Sequence, residues 1–367
     1  MTLMHPFSPT GAPRRAAMLA GWLLLTGAVA CSDGTGPKRA TMDAARAEAG
    51  LQAAQRAVEA PAVSSFLALS PSVAAAREVN ASAAIAGVRA VLGARGQSPE
   101  AVRDAAVVLA RAVDAPATVS AAPLLPRSVL GTTFVYSPVT LGYVPAPGRA
   151  GAPTNGVRFV LYAVNPVTHE PILETEIGYA ELTDEGGSTF NRLGYRLRVV
   201  SGGVTYLDYG LRAELGLTGV DVGVDGFVSD GTTELQFEVD VDVGVEDGRT
   251  RVEVGFAFDV PTHDFHTRAT VRASDVLGGQ AEVAMKVISA RDTVDVSARF
   301  GVTGMDARFR VNGVHFATAV GNPLQPTIRG ADGRELSPAE IAVLGGIARL
   351  IELQFQLLGA VLAPLGG

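Results

Sequence analysis

The chain has 367 residues, with 30 Lys and Arg against 37 Asp and Glu, for a net charge of −7 at pH 7. Apolar residues make up 47% and charged residues 18%, the profile of a folded chain and not of a disordered one. The basic residues are scattered, which argues against nucleic acid as a partner. The length allows one large or two modest domains.

The N-terminal segment carries Arg14 and Arg15, then an apolar run from Ala16 to Ala30 broken only by small residues and Thr26. At about 15 residues the run is shorter than the roughly 20 that a membrane-spanning helix needs. It closes on Gly27-Ala28-Val29-Ala30, directly before Cys31, the one cysteine of the chain. Positive residues, a short apolar stretch and a small-residue end make an export signal. The small-small-Cys ending resembles the lipobox of bacterial lipoproteins. That resemblance implies that residues 1–30 are a signal peptide and that Cys31 carries lipid on its thiol. Ser32, which is not acidic, follows the cysteine. The resemblance then implies anchoring in an outer membrane, facing the periplasm. Arg14-Arg15 before Met18-Leu19 also has a weak similarity to a twin-arginine signal.

Residues 31–40, with Ser32-Asp33-Gly34-Thr35-Gly36-Pro37-Lys38, read as a flexible tether. A mature chain with no second cysteine has no internal disulfide, so its stability must come from burial.

Residues 41–118 are alanine-rich and read as helices. Thr41 and Asp43 are candidate caps for a helix through Ala60 that Pro61 ends. A second helical stretch is expected from Pro71 to Ala94, interrupted near Asn80. A third opens at Ser98-Pro99-Glu100, with a cap, a proline in the first helical position and an acid in the first turn.

Residues 119–330 read as an antiparallel meander. Short strands are expected at Thr133–Tyr136 and near Tyr143, and longer ones at 157–164 and 172–182. From Leu193 to Phe316 the period is two. Leu235, Phe237, Val239, Val241, Val243 and Val245 alternate with Glu234, Gln236, Glu238, Asp240 and Asp242. Asp247-Gly248 follows, a strong hairpin signal. A two-residue turn there pairs Glu246 with Arg249, and sets Val243 against Val252, Val239 against Phe256 and Phe237 against Phe258. The same counting at Asp230-Gly231 sets Val224 against Phe237. At Thr218-Gly219 it sets Leu215 against Val222. At Thr303-Gly304 it sets Phe300 against Ala307 and Ala298 against Phe309. A four-residue loop at Pro261–Asp264 pairs Val260 with Phe265, Ala290-Arg291 pairs Val287 with Val294, and Gly202-Gly203-Val204 suits a three-residue loop. At Asn312-Gly313 the alternation flips to Val314 and Phe316, which reads as a bulge.

Residues 337–362 read as a last helix. Ser337-Pro338-Ala339-Glu340 is a capping box, and Val343, Leu344, Ile347, Leu350, Ile351, Phe355 and Leu358 make an apolar face. The fold class is therefore α+β. It is a wide, curved antiparallel meander of about 9–12 strands, half-barrel or barrel-like, since sheets this wide tend to curl. The alanine-rich N-terminal helices and the apolar C-terminal helix pack on its apolar face.

Chemistry-bearing residues are few. His263-Asp264-Phe265-His266 holds the one close histidine pair, a weak candidate metal site at His263, Asp264 and His266; on a strand its two histidines point to opposite faces, and no third ligand is evident beside them. Asp240, Asp242 and Glu253, with Asp221 and Asp225 on the next strand, form an acidic patch. It reads as a solvated face balanced by Arg249, Arg251, Arg268 and Arg272. No nucleophile elbow, phosphate loop or dinucleotide fingerprint is present, and no cofactor is implied.

The expected function is non-enzymatic: a lipid-anchored envelope protein whose sheet and helices enclose an apolar ligand or lipid. The candidate lining is Phe237, Phe256, Phe258, Ile347, Ile351 and Phe355. Such a shape resembles bacterial lipoprotein-carrier folds in architecture. The alternatives are a structural or interaction lipoprotein with a filled core, and an outer-membrane β-barrel. Tyr209, Phe237, Phe258 and Phe265 would form half an aromatic girdle of that barrel.

Overall fold

The structure is a computed structural model. It describes residues 43–75 and 125–347, apart from 166, 169, 186–191, 217–218, 247–248, 275–279, 302–303, 323–324, 332, 339 and 343. Cys31, the tether and the helices expected over 76–118 lie outside the described residues, as do Ile351 and Phe355.

Two helices, α1 (Ala44–Val58) and α2 (Pro61–Ala75), precede fifteen strands. These are β1 (Thr132–Ser137), β2 (Gly142–Pro145), β3 (Gly156–Val164), β4 (Pro171–Asp184) and β5 (Arg192–Ser201). Next come β6 (Val204–Leu215), β7 (Gly219–Ser229), β8 (Glu234–Glu246), β9 (Arg249–Val260) and β10 (Phe265–Ser274). The last are β11 (Gln280–Ser289), β12 (Asp292–Gly301), β13 (Gly304–Val311), β14 (Val314–Gly321) and β15 (Thr327–Gly330). All fifteen belong to one sheet whose order runs from β15 back to β3 without a crossover, then β1 and β2. A β-rich α+β architecture is therefore present, with more strands than the alternation alone counts.

At the level of topology one of two alternatives, the closed barrel, falls and one expectation fails. Among the described residues the sheet does not close into a barrel, because β2 and β15 are its two edges. Nor is it wholly antiparallel, since β1 runs parallel to β3, with Phe134 opposite Phe159. Both edge strands have only four residues, which limits the backbone offered for stray pairing.

Registers are right wherever the turn is placed on the right residues. Val243↔Val252, Val239↔Phe256 and Phe237↔Phe258 are observed, as are Val260↔Phe265 and Val287↔Val294. Four others are off by two or by a turn residue. The β7–β8 connection is a four-residue loop, so Val224 faces Val239 and not Phe237. The Asp230 carboxylate accepts hydrogen bonds from the Thr232 and Thr233 amides at 2.8 and 2.7 Å, and this side-chain turn lengthens the loop. Between β6 and β7 Gly216 pairs with Gly219, so Leu215 faces Val220 and not Val222. Between β12 and β13 Phe300 faces Met305 and Ala298 faces Ala307.

Gly202-Gly203 is a two-residue turn, both glycines having positive φ (57° and 80°), and Val204 already pairs with Ser201. Asn312-Gly313 is likewise a two-residue turn, with φ 51° and 78°, and Val311 pairs with Val314. The register shift lies earlier in the chain, on β13 between Phe309 and Arg310.

The helices also differ from expectation. Asp43 caps α1, its carboxylate accepting from the Arg46 amide at 3.1 Å. Pro61 does not only end a helix: it opens α2, where its missing N–H costs nothing, and α2 runs on through Pro71. At the other end the capping box is formed. Ser337 donates its amide to Glu340 Oε2 at 2.8 Å, and the Glu340 amide reaches Ser337 Oγ at 3.4 Å. The helix is described over 338–347, with Leu344 and Ile347 buried. No helix among the described residues is long and apolar enough to cross a membrane.

α1 lies along one rim of the sheet. The Asp43 amide donates to Asp292 Oδ2 at the start of β12 (2.8 Å), and Arg56 stands 3.9 Å from Asp230 in the β7–β8 loop. Its fifteen residues span about 22 Å, and five strand spacings from β12 to β7 span about 24 Å. α2 covers β2 to β6. Its buried Ser65 donates to the Tyr162 carbonyl at 2.6 Å, where the β3–β4 ladder is interrupted by a bulge.

Candidate functional site

Successive registers assemble the inner face into rows that cross the strands. One row runs Tyr195, Leu211, Val224, Val239, Phe256, Ala269, Met285, Val296, Phe309. The next runs Leu197, Tyr209, Gly226, Phe237, Phe258, Thr267, Val287, Val294, Val311. Gly226 sits between two aromatics because a β-carbon there would meet Tyr209 Cβ at 2.5 Å. The Tyr209 and Phe237 rings are 6.3 Å apart.

The structure places Phe237, Phe256, Phe258 and Ile347 in one buried core, each no more than 5% exposed. Tyr209 and Phe265 belong to the same core and are equally buried. The aromatics read as half a girdle are therefore interior side chains in contact with the protein's own helices and strands.

The histidine segment forms a polar knot at the rim. Pro261–His263 make one turn of 3₁₀ helix, and Asp264 closes it in the left-handed region at φ 47°. His266 Nδ1 lies 2.9 Å from Asp259 Oδ1, and its Nε2 lies 3.5 Å from Asp264 Oδ1. Arg268 binds both oxygens of Asp259, at 3.0 and 3.2 Å. Burial pushes the Asp259 carboxyl up, but the hydrogen bonds from Arg268 and His266 outweigh it and leave its pKa below the ordinary value. His263 points elsewhere, to Thr262 Oγ1 at 3.0 Å. Among the described residues no group of three or more His, Cys, Asp or Glu is placed to hold a metal ion. The pairing of His266 is with a carboxylate that an arginine already neutralises.

On the outer face the charges segregate. Neither β7 nor β8 contains a lysine or arginine. Asp221 stands directly opposite Asp242, Asp242 opposite Glu253, and Asp225 opposite Glu238. Burial raises the pKa of Asp221, and Asp242, Asp240 and Glu214 raise it further. Asp240 is raised by burial and then by Glu238 and Asp225. Glu253 is the exception: hydrogen bonds from Arg272 and Arg251 hold its carboxyl down to about 2. The balancing role expected of Arg268 is not observed, since that side chain goes to Asp259.

Across β10 to β13 the outer face carries a feature that the sequence reading missed. Thr270, Ala284 and Ser297 fall in one cross-strand row that leads to Arg308 on β13. Together with Arg272, Glu282, Arg299 and Asp306 they line a depression of about 330 Å³. The signal is present in the sequence only as small residues at outward positions of three separate strands, and it becomes a row only once the registers are known.

Comparison of the chain with protein-family models, curated proteins and solved structures finds no match.

Proposed function

We propose that this chain is a lipid-anchored, non-enzymatic protein of the cell envelope, attached through Cys31 and facing the periplasm from an outer membrane. Its curved, half-barrel sheet is a scaffold filled by its own helices, with the outer face left to meet partners. The observation that carries the filled-core reading is the burial of Phe237, Phe256, Phe258 and Ile347 in one continuous core. An empty apolar chamber large enough for an acyl chain would leave such side chains a measurable accessible surface. Support for attachment is the order of residues before Cys31, which resembles a lipobox.

The test of attachment is metabolic labelling with an alkyne fatty acid in a Gram-negative host. The wild type is expected to take the label and to sediment with membranes, and Cys31→Ser to lose both. A labelled Cys31→Ser protein overturns the anchor.

A second reading keeps an apolar ligand between sheet and helices, like the carrier folds the architecture resembles. It is favoured by the extent of the apolar rows, which cross nine strands from β5 to β13. Delipidated protein that binds a fluorescent fatty-acid probe, with loss on Phe256→Asp, would favour this reading over the filled core.

A further inference from the structure

We propose that the depression on the outer face of β10 to β13 is a binding site for phosphate-bearing ligands. The inference rests on the outer face being the working face of the scaffold.

The floor is unusual for an outward face. Thr270, Ala284 and Ser297 stand in register, and Gly255 on β9 continues the row beside Thr270. From Thr270 to Ser297 no charged or long side chain rises from the floor, and the next residue of the row is Arg308 on β13. The rows on either side are charged. One runs Arg272, Glu282, Arg299, Asp306, and the other Arg268, Lys286, Asp295, Arg310. In the hollow itself three cations, Arg272, Arg299 and Arg308, stand with two carboxylates, Glu282 and Asp306, in a chain whose net charge is −7, while Arg268 in the flanking row is already held by Asp259.

Several of these cations have donors to spare. Arg308 Nε is 3.9 Å from Asp306 Oδ1, beyond hydrogen-bond distance, and its side chain is 65% exposed. Among the described residues neither Lys286 nor Arg310 forms an ion pair with Asp295, although Asp295 lies opposite both. Arg299 uses Nε toward Glu282 at 3.0 Å, and Arg272 uses one terminal nitrogen toward Glu253 at 2.9 Å, leaving the rest of each guanidinium fork.

Guanidinium forks match tetrahedral oxyanions in geometry, and hydroxyls such as those of Thr270 and Ser297 add neutral donors. A volume of about 330 Å³ holds more than one phosphate group. The acidic strands β7 and β8, separated from the site by β9, repel anions, and so favour an anionic ligand on β10 to β13.

The test uses the full-length protein in uncharged detergent, with inorganic tripolyphosphate as the probe, by calorimetry at low salt. Binding is expected. It should weaken at least about tenfold in Arg299→Ser/Arg308→Ser, because two charge-assisted contacts are lost together. Arg192→Ser/Arg212→Ser removes equal charge from β5 and β6 and should leave binding unchanged.

A second arm uses full-length Cys31→Ser with vesicles of phosphatidylcholine alone or mixed with phosphatidylglycerol. Sedimentation with the mixed vesicles, lost in Arg299→Ser/Arg308→Ser, assigns the phosphate to a lipid headgroup. Tripolyphosphate binding without sedimentation assigns it to a free phosphate compound. No tripolyphosphate binding, or equal loss in both double variants, overturns the site. So does a concentration-dependent dimer abolished by Arg308→Ser, which would mean that the acidic β7–β8 face of a second copy fills the hollow. These readouts do not depend on lipid at Cys31, so failure of the anchor and failure of the site are separate results.

Discussion

The backbone of Gly50, midway along α1, lies against the ring of Phe265, the first residue of β10. A β-carbon on Gly50 would stand 2.6 Å from Phe265 Cγ and 2.8 Å from its Cβ. The contact sits where α1 crosses the centre of the rim, between its anchors at Asp292 and Asp230. Glycine inside a helix costs about 1 kcal/mol relative to alanine, and here it allows the helix to sit directly on the sheet.

Gly50→Ala is therefore expected to destabilise the protein despite its better helix propensity. Overpacking costs about 1–3 kcal/mol and outweighs the gain of about 1 kcal/mol. Gly50→Val should cost more. Combined with Phe265→Leu, Gly50→Ala should lose less than the two single changes added together, a coupling that urea unfolding can measure.

Ser65→Ala should cost about 1–3 kcal/mol, because it leaves the Tyr162 carbonyl buried at the bulge of β3 without its donor. Ser64→Ala, one residue earlier, removes an exposed bond to the Glu59 carbonyl and should stay within about 0.5 kcal/mol of wild type. Equal losses in the two variants would refute the role of Ser65.

The carboxylates of Asp221 and Asp242 repel each other across β7 and β8. Asp242→Asn should stabilise the protein at pH 7 by about 0.2–1 kcal/mol, and by less at high salt. The sign follows from linkage: the pKa of Asp221 is raised in the folded state above its ordinary value of 3.8. The penalty is complete above the folded pKa, shrinks as pH falls through it, and is gone below 3.8. Thermal unfolding of both proteins from pH 7 to pH 3 should show the curves converge.

Glu340 has the opposite sign. Hydrogen bonds from Arg334 and from Ser337 hold its carboxyl down to about 2, against an ordinary value of 4.5. Its contribution is complete above 4.5 and is lost as pH falls from there toward about 2. Glu340→Gln should flatten that part of the pH–stability profile. Ser337→Ala should cost about 1 kcal/mol as a lost cap. A profile unchanged by Glu340→Gln would mean that the capping box does not contribute to stability.

The parts of the fold legible in the sequence are those governed by local periodicity. Alternation from Leu235 to Val243 assigns each of those residues to its face, and Asp43, Ser337 and Glu340 are recognisable caps. Counting from a two-residue turn pairs Val224 with Phe237, but its partner is Val239, and it pairs Phe300 with Ala307, but its partner is Met305. In each case the apolar residue still faces an apolar one. The outward hollow of Thr270, Ala284 and Ser297 stayed hidden for a related reason: it exists only where three strands agree in register.

Composition and alternation settled that the chain folds as a β-rich body with one apolar and one charged face, because the face of a strand residue depends only on its parity. Tertiary structure alone decided the partners within that parity, since a shift of two residues keeps every side chain on its own side. The side-chain turn at Asp230 and the paired positive φ angles at Gly202-Gly203 and Asn312-Gly313 made those choices. It also decided that the sheet stays open, that β1 joins it in parallel, and that α1 lies along the rim. These depend on contacts between residues far apart in the chain, such as Asp43 with Asp292 and Gly50 with Phe265, on which local pattern is silent.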